Sequence, residues 1–69
     1  MNDMTIRCEG KIKNWDREKG YGFISTPLGN YYTHISCTKD HKDLKPGQRV
    51  RFLIESSEYG LIGKNVEVI

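Results

Sequence analysis

The sequence has no long apolar run, which argues against a membrane-spanning helix. No segment approaches the roughly 20 consecutive apolar residues that such a helix needs. The first four residues, Met-Asn-Asp-Met, contain no apolar stretch of the kind found in a signal peptide. Cysteine is also scarce, because Cys8 and Cys37 are too few for a disulfide scaffold. We therefore expect free thiols and a cytoplasmic protein without membrane contact.

Sequence motifs for catalysis are missing as well. There is no phosphate-binding glycine loop, no His-Glu metal motif and no nucleophile elbow, and the carboxylates are scattered through turn-like segments. A chain of 69 residues is long enough for one small domain but not for a buried catalytic pocket with its supporting shell. We expect a single domain spanning residues 1–69 that is not an enzyme and needs no cofactor.

One group of residues has a spacing that could indicate a metal site. His34, Cys37 and His41 form a His-x2-Cys-x3-His pattern, to which Cys8 could add a fourth ligand. Structural zinc sites usually contain four ligands with paired cysteines, and the cysteines here are far apart. Because His34 also has a role on the strand discussed below, we expect no metal site.

Helical periodicity is nearly absent, whereas the two-residue alternation of β-strands recurs along the chain. It predicts five short strands, over residues 6–12, 20–25, 31–35, 50–55 and 64–68. Turn-forming residues separate these strands. The side chains predicted to face the core are Ile6, Cys8, Ile12, Ile24, Val50, Phe52, Ile54, Val66 and Val68. Five short strands with turns between them favour an all-β barrel or sandwich.

Residues 19–24, which read Lys-Gly-Tyr-Gly-Phe-Ile, are the most informative part of the second strand. Alternate side chains of a strand project to opposite faces, so Tyr21 and Phe23 lie together while Ile24 faces the core. In the third strand, Tyr32 and His34 share a face in the same way. Flat rings on a rigid sheet beside a cation form a platform on which unpaired bases can stack. The formal net charge of +2 is compatible with a nucleic-acid ligand.

The segment 19–24 matches an aromatic RNA-binding motif that occurs in RNA-recognition-motif domains and in cold-shock domains. The first family needs two helices, which the pattern lacks, and its other aromatic motif precedes this one. From Gly10 to Val66 the sequence resembles a divergent cold-shock domain of bacterial or phage type. The resemblance is carried by residues 10–13, 19–24, 32–36, 44–48, 50–52 and 63–66. It implies a closed five-stranded antiparallel OB-type barrel that binds single-stranded RNA or DNA on strands two and three.

The resemblance also implies roles for particular residues. A member of this family would act as a monomeric RNA chaperone or regulator of gene expression, with low sequence specificity. His41 falls where the family usually has a stacking Phe, and Trp15 falls next to the position of the family's first ring. The residues implied to bind nucleic acid are Lys13, Trp15, Lys19, Tyr21, Phe23, Tyr32, His34 and His41.

Several positions depart from the family pattern. Asn14 and Trp15 stand where the family has Trp-Phe, Asp16 replaces an Asn, and Ile35 replaces a Phe. Trp15 therefore has two open interpretations, as a stacking ring or as a packing residue. Asp16 brings a negative charge close to the expected path of the nucleic acid. These departures leave open an alternative function, an OB-type module that binds a protein as an adaptor or effector, with nucleic-acid binding weakened or lost.

Overall fold

Five strands form a closed barrel in the order β1-β2-β3-β5-β4 in the computed structural model, which describes residues 7–58 and 60–69. The strands are β1 (Arg7–Asp16), β2 (Tyr21–Thr26), β3 (Gly29–His34), β4 (Arg49–Ser57) and β5 (Gly60–Val68). A single turn of 3-10 helix, Ile35–Cys37, follows β3. The predicted all-β five-stranded barrel is confirmed. In the described parts of the chain, no helix is long and apolar enough to cross a membrane.

Pairing around the barrel is antiparallel except where it closes. There β3 and β5 run parallel, with Tyr32 opposite Ile62, although the resemblance implied an antiparallel barrel. Four strands are longer than the alternation predicted, because β1 continues to Asp16, β3 begins at Gly29, β4 ends at Ser57 and β5 begins at Gly60. The predicted start of the first strand at Ile6 lies outside the described residues.

The core lies inside the barrel and is built from the inward faces of the strands. Its buried members are Ile12, Ile24, Tyr31, Leu44, Val50, Phe52 and Val66, with Cys8, Trp15 and Ile54 packed against them. Among the described residues, the side chains predicted to face the core are thus confirmed, except for Val68. That side chain is 51% exposed because it stands at the last position of β5, where the wall of the barrel ends.

Candidate nucleic-acid interface

The antiparallel pairing of β2 with β3 brings the aromatic side chains of both strands together. Tyr21 stands opposite His34, and Phe23 stands opposite Tyr32. The alternate residue Ile24 is fully buried, so the strand turns one face to the core and the other outward. We call the outward group of Tyr21, Phe23, Tyr32 and His34 the aromatic face. The sequence prediction that these four side chains share one surface matches this register.

Within the aromatic face, the ring of Tyr32 contacts the rings of Tyr21 and Phe23 without stacking on either. The ring centres of Tyr21 and Tyr32 are 5.5 Å apart with the planes tilted by 37°. Those of Phe23 and Tyr32 are 5.9 Å apart at 71°, an edge-to-face arrangement. No parallel stack forms within these two pairs, and Phe23 is 36% exposed although it is fully apolar. An exposed set of rings held in fixed contact is suited to accepting flat ligands.

His34 is held in one orientation by Ser36, the second residue of the 3-10 turn. Its Nδ1 accepts a hydrogen bond of 3.1 Å from the backbone N–H of Ser36 and lies 3.0 Å from the Ser36 hydroxyl. Because Nδ1 accepts, the proton of the neutral imidazole is assigned to Nε2. The aromatic face therefore includes a fixed ring with one donor nitrogen in addition to its planar surface.

A bulge in β1 sets which residues flank the aromatic face on that side. The pairing of β1 with β2 shifts between Ile12 and Asn14, so Lys13 has no partner in the register and is exposed. Beyond the bulge, Asn14 stands opposite Phe23, and Asp16 stands opposite Tyr21. Such bulges change which way the following side chains point. An amide therefore occupies the edge at which the resemblance implied a first stacking ring.

Trp15 lies on the other side of β1 from Asn14. It pairs with Gly22, and a Cβ on that glycine would stand 2.7 Å from the Trp15 ring atom Cε3. The indole packs against the core while remaining half exposed, and its Nε1–H donates a hydrogen bond of 3.0 Å to Oδ1 of Asp43. It also lines a shallow concavity together with Tyr21 and Phe23. Both open interpretations of Trp15, packing and ligand contact, are thus compatible with its position.

The carboxylate of Asp16 organises the turn between β1 and β2. Its Oδ1 accepts hydrogen bonds from the backbone N–H groups of Glu18 and Lys19, at 3.0 and 3.1 Å. Its backbone carbonyl accepts another from Gly20, whose φ of +72° favours glycine. The negative charge expected near the nucleic-acid path is therefore partly offset by two backbone dipoles.

The two lysines predicted to bind nucleic acid lie on the bulge of β1 and in the turn before β2. Lys13 and Lys19 are exposed, and within the described residues neither forms an ion pair. His41 is exposed in the segment 38–48, which we call the 38–48 loop, and has a left-handed φ of 52°. It is not among the residues that line the concavity at Trp15. Its contact with a ligand stays a prediction.

Two features of this region were missed by sequence reasoning. The Asp43 carboxylate contacts Trp15 from 28 positions away, which no local pattern reveals. Ile62 extends the apolar surface beside Tyr32 through the parallel pairing of β3 and β5, and sequence alone predicted no such pairing. Across residues 7–58 and 60–69 no three His, Cys, Asp or Glu side chains are grouped to hold a metal.

Comparison with known proteins gives a consistent result over most of the chain. Residues 8–69 match the family model of the 'Cold-shock' DNA-binding domain. The sequence is similar to the major cold shock protein CspA of Bacillus cereus, with 42% identity over 66 residues that cover 91% of this chain and 96% of that protein. It is 38% identical over 62 residues to the major cold shock protein of Streptococcus pyogenes serotype M1, covering 86% of this chain and 92% of that protein. The matched region of the family model includes every residue of the aromatic face.

Proposed function

The chain belongs to the cold-shock domain family of non-enzymatic nucleic-acid binders, and we propose that its aromatic face binds single-stranded RNA or DNA with low sequence specificity. The observation that carries this proposal is the partly exposed set of rings on β2 and β3, in which Tyr32 contacts both Tyr21 and Phe23. Binding of this kind suits an RNA chaperone or a regulator of gene expression, because it holds transiently open strands without consuming ATP.

Base stacking provides the first part of the binding free energy. A base stacked on an aromatic side chain contributes about 1–3 kcal/mol by alanine substitution, and every base has a flat surface to offer. Affinity gained from stacking depends little on the nucleotide sequence of the ligand. Duplexes should bind poorly, since their bases already stack on one another. The Asn14 amide beside Phe23 and the Nε2–H of His34 are positioned to add hydrogen bonds to base edges.

Phosphate contacts provide the second part. The exposed ammonium groups of Lys13 and Lys19 stand next to the aromatic face, on the bulge of β1 and in the turn before β2. Each neutralised phosphate of a single strand releases bound counterions, which makes affinity fall as salt rises. We further propose that the protein binds as a monomer, because pairing among the five strands of the described residues closes the barrel, and closed barrels offer little free strand edge to a second copy.

The only tryptophan of the chain makes this proposal directly testable. Titration with a short oligothymidine or oligouridine at low salt should quench Trp15 fluorescence, because the indole lines the concavity beside Tyr21 and Phe23. Added salt should reverse the quenching, with log affinity falling by about 0.7 per unit of log salt for each phosphate contact.

A duplex of the same length and sequence composition is the matched control and should produce a much weaker response. If the folded protein gives no response at micromolar concentration, and its affinity for any single strand is undetectable, the proposal is wrong. The aromatic face would then be a surface for a protein partner.

A further inference from the structure

We propose that the carboxylate of Asp43 occupies a phosphate-binding position of this interface, from which a backbone phosphate of the bound single strand displaces it. The position is formed by the Nε1–H of Trp15 and the guanidinium of Arg17. Asp43 is then an internal competitor that weakens binding and reduces its dependence on salt. The inference rests on the proposed function and adds to it one phosphate site and the residue that blocks that site.

The two oxygens of the Asp43 carboxylate have different partners. Oδ1 accepts a hydrogen bond of 3.0 Å from Trp15 Nε1, and Oδ2 lies 3.9 Å from Nε of Arg17. One anionic group thus bridges a neutral ring donor and a cation. A phosphate presents the same chemistry, two negatively charged acceptor oxygens on one centre. The donors recognise an anion of this kind and do not require it to be a carboxylate.

The donors and the carboxylate come from different parts of the fold. Trp15 and Arg17 line the concavity that also includes Tyr21 and Phe23, so they belong to the proposed binding surface. Asp43 lies in the 38–48 loop, which connects the helical turn to β4, and it does not line that concavity. A strand whose bases stack on Tyr21 and Phe23 would place its backbone close to these donors.

The contact is weak enough to be exchanged for a phosphate. The Arg17 side chain is 84% exposed and that of Asp43 is 40% exposed, and ion pairs with such exposure stabilise proteins very little. The loop is anchored on both sides of Asp43. The backbone N–H of Lys39 donates to the carbonyl of Val66 at 2.7 Å, and Leu44 is buried. Release of Asp43 therefore requires movement of only a few residues between these anchors.

The substitution Asp43→Asn tests the role of the charge. The amide has the same shape and retains an oxygen that accepts from Trp15, but it no longer attracts Arg17 or repels a phosphate. We expect this variant to bind oligothymidine about threefold to tenfold more tightly at low salt. The slope of log affinity against log salt should become steeper by about 0.7, the value for one added phosphate contact.

Asp40→Asn is the matched control. It makes the same change in net charge in the same loop, and within the described residues Asp40 is exposed without an ion pair. Its effect on affinity should be small and its salt slope unchanged. A double-mutant cycle completes the test, because in an Arg17→Gln background the gain from Asp43→Asn should be smaller, since one of the two donors of the phosphate site is then missing.

Three results would overturn the inference. Equal gains from Asp43→Asn and Asp40→Asn would mean that net charge alone matters. Additive effects of Asp43→Asn and Arg17→Gln would mean that the two residues share no phosphate site. Weaker binding by the Asp43→Asn variant would mean that Asp43 supports the interface. Binding by the unaltered protein that depends on Phe23 and Tyr32 leaves the proposed function intact in all three cases, whereas its absence refutes both proposals.

Discussion

The double substitution Phe23→Ala and Tyr32→Ala should nearly abolish binding of single-stranded nucleic acid while leaving the barrel folded. Loss of two stacking rings removes about 2–6 kcal/mol of binding free energy, taking about 1–3 kcal/mol for each base. The cost to folding is smaller. Phe23 is 36% exposed, and the contact between the two rings contributes about 0.5–1.5 kcal/mol. Oligothymidine titration measures the first effect, and urea denaturation measures the second.

Leu28→Ala is the matched control for this prediction. Leu28 is another large apolar side chain at the surface, 83% exposed, but it lies in the turn between β2 and β3 and not on the aromatic face. It should change neither affinity nor stability appreciably. A double variant that unfolds would show that the two rings are part of the core. A folded double variant with unchanged affinity would show that nucleic acid binds elsewhere.

Alternation along single strands was sufficient to predict the two faces of β2. Ile24 is fully buried while Phe23 is exposed, as the two-residue period of a strand requires. The aromatic face could be predicted for the same reason, since its four members lie on two neighbouring strands joined by a short turn. Local geometry and a short connection leave little freedom in how such strands pair.

Features that depend on contacts between distant segments could not be predicted in this way. The bulge at Lys13 moves every later residue of β1 by one position relative to β2, so Asn14 and not Lys13 stands opposite Phe23. A one-residue change of register moves each side chain to the opposite face of the sheet, and the alternation of the sequence does not show where such a change occurs. The contact of Asp43 with Trp15 depends on how the 38–48 loop returns to the barrel.

The departures from the family pattern have different consequences once the structure is considered. Asp16 uses its carboxylate to hold the turn that precedes Tyr21, because Oδ1 accepts hydrogen bonds from the backbone N–H groups of Glu18 and Lys19. Asn14 replaces a ring at the edge of the aromatic face, which reduces the stacking area beside Phe23. We therefore expect the departure at Asn14 to change base preference more than the departure at Asp16, because the Asp16 carboxylate is held by backbone N–H groups of its own turn.

Gly22→Ala should destabilise the protein by about 3 kcal/mol, the upper part of the range for overpacked sites. An added Cβ would meet the backbone oxygen of Asn14 and approach Cα of Trp15 to 3.0 Å, so β1 would have to move away from β2. Domains have a stability of about 0.05–0.15 kcal/mol per residue, and a chain of 69 residues would lose a large part of its total. Urea denaturation followed by far-ultraviolet circular dichroism measures the loss independently of Trp15.

Gly63→Ala is the matched control for this prediction. It adds the same methyl group within a strand, but the nearest atoms belong to side chains and not to the backbone, Cδ1 of Ile24 and Cδ2 of Phe52, both at 3.0 Å. Side chains can shift where a backbone cannot, so we expect a smaller loss of about 1 kcal/mol. Equal losses in the two variants would contradict the argument from the approach of β1. If the argument holds, Gly22 is required because it lets β1 pair closely with β2, the strand that carries Tyr21 and Phe23. Its substitution should therefore weaken oligonucleotide binding even where the variant remains folded.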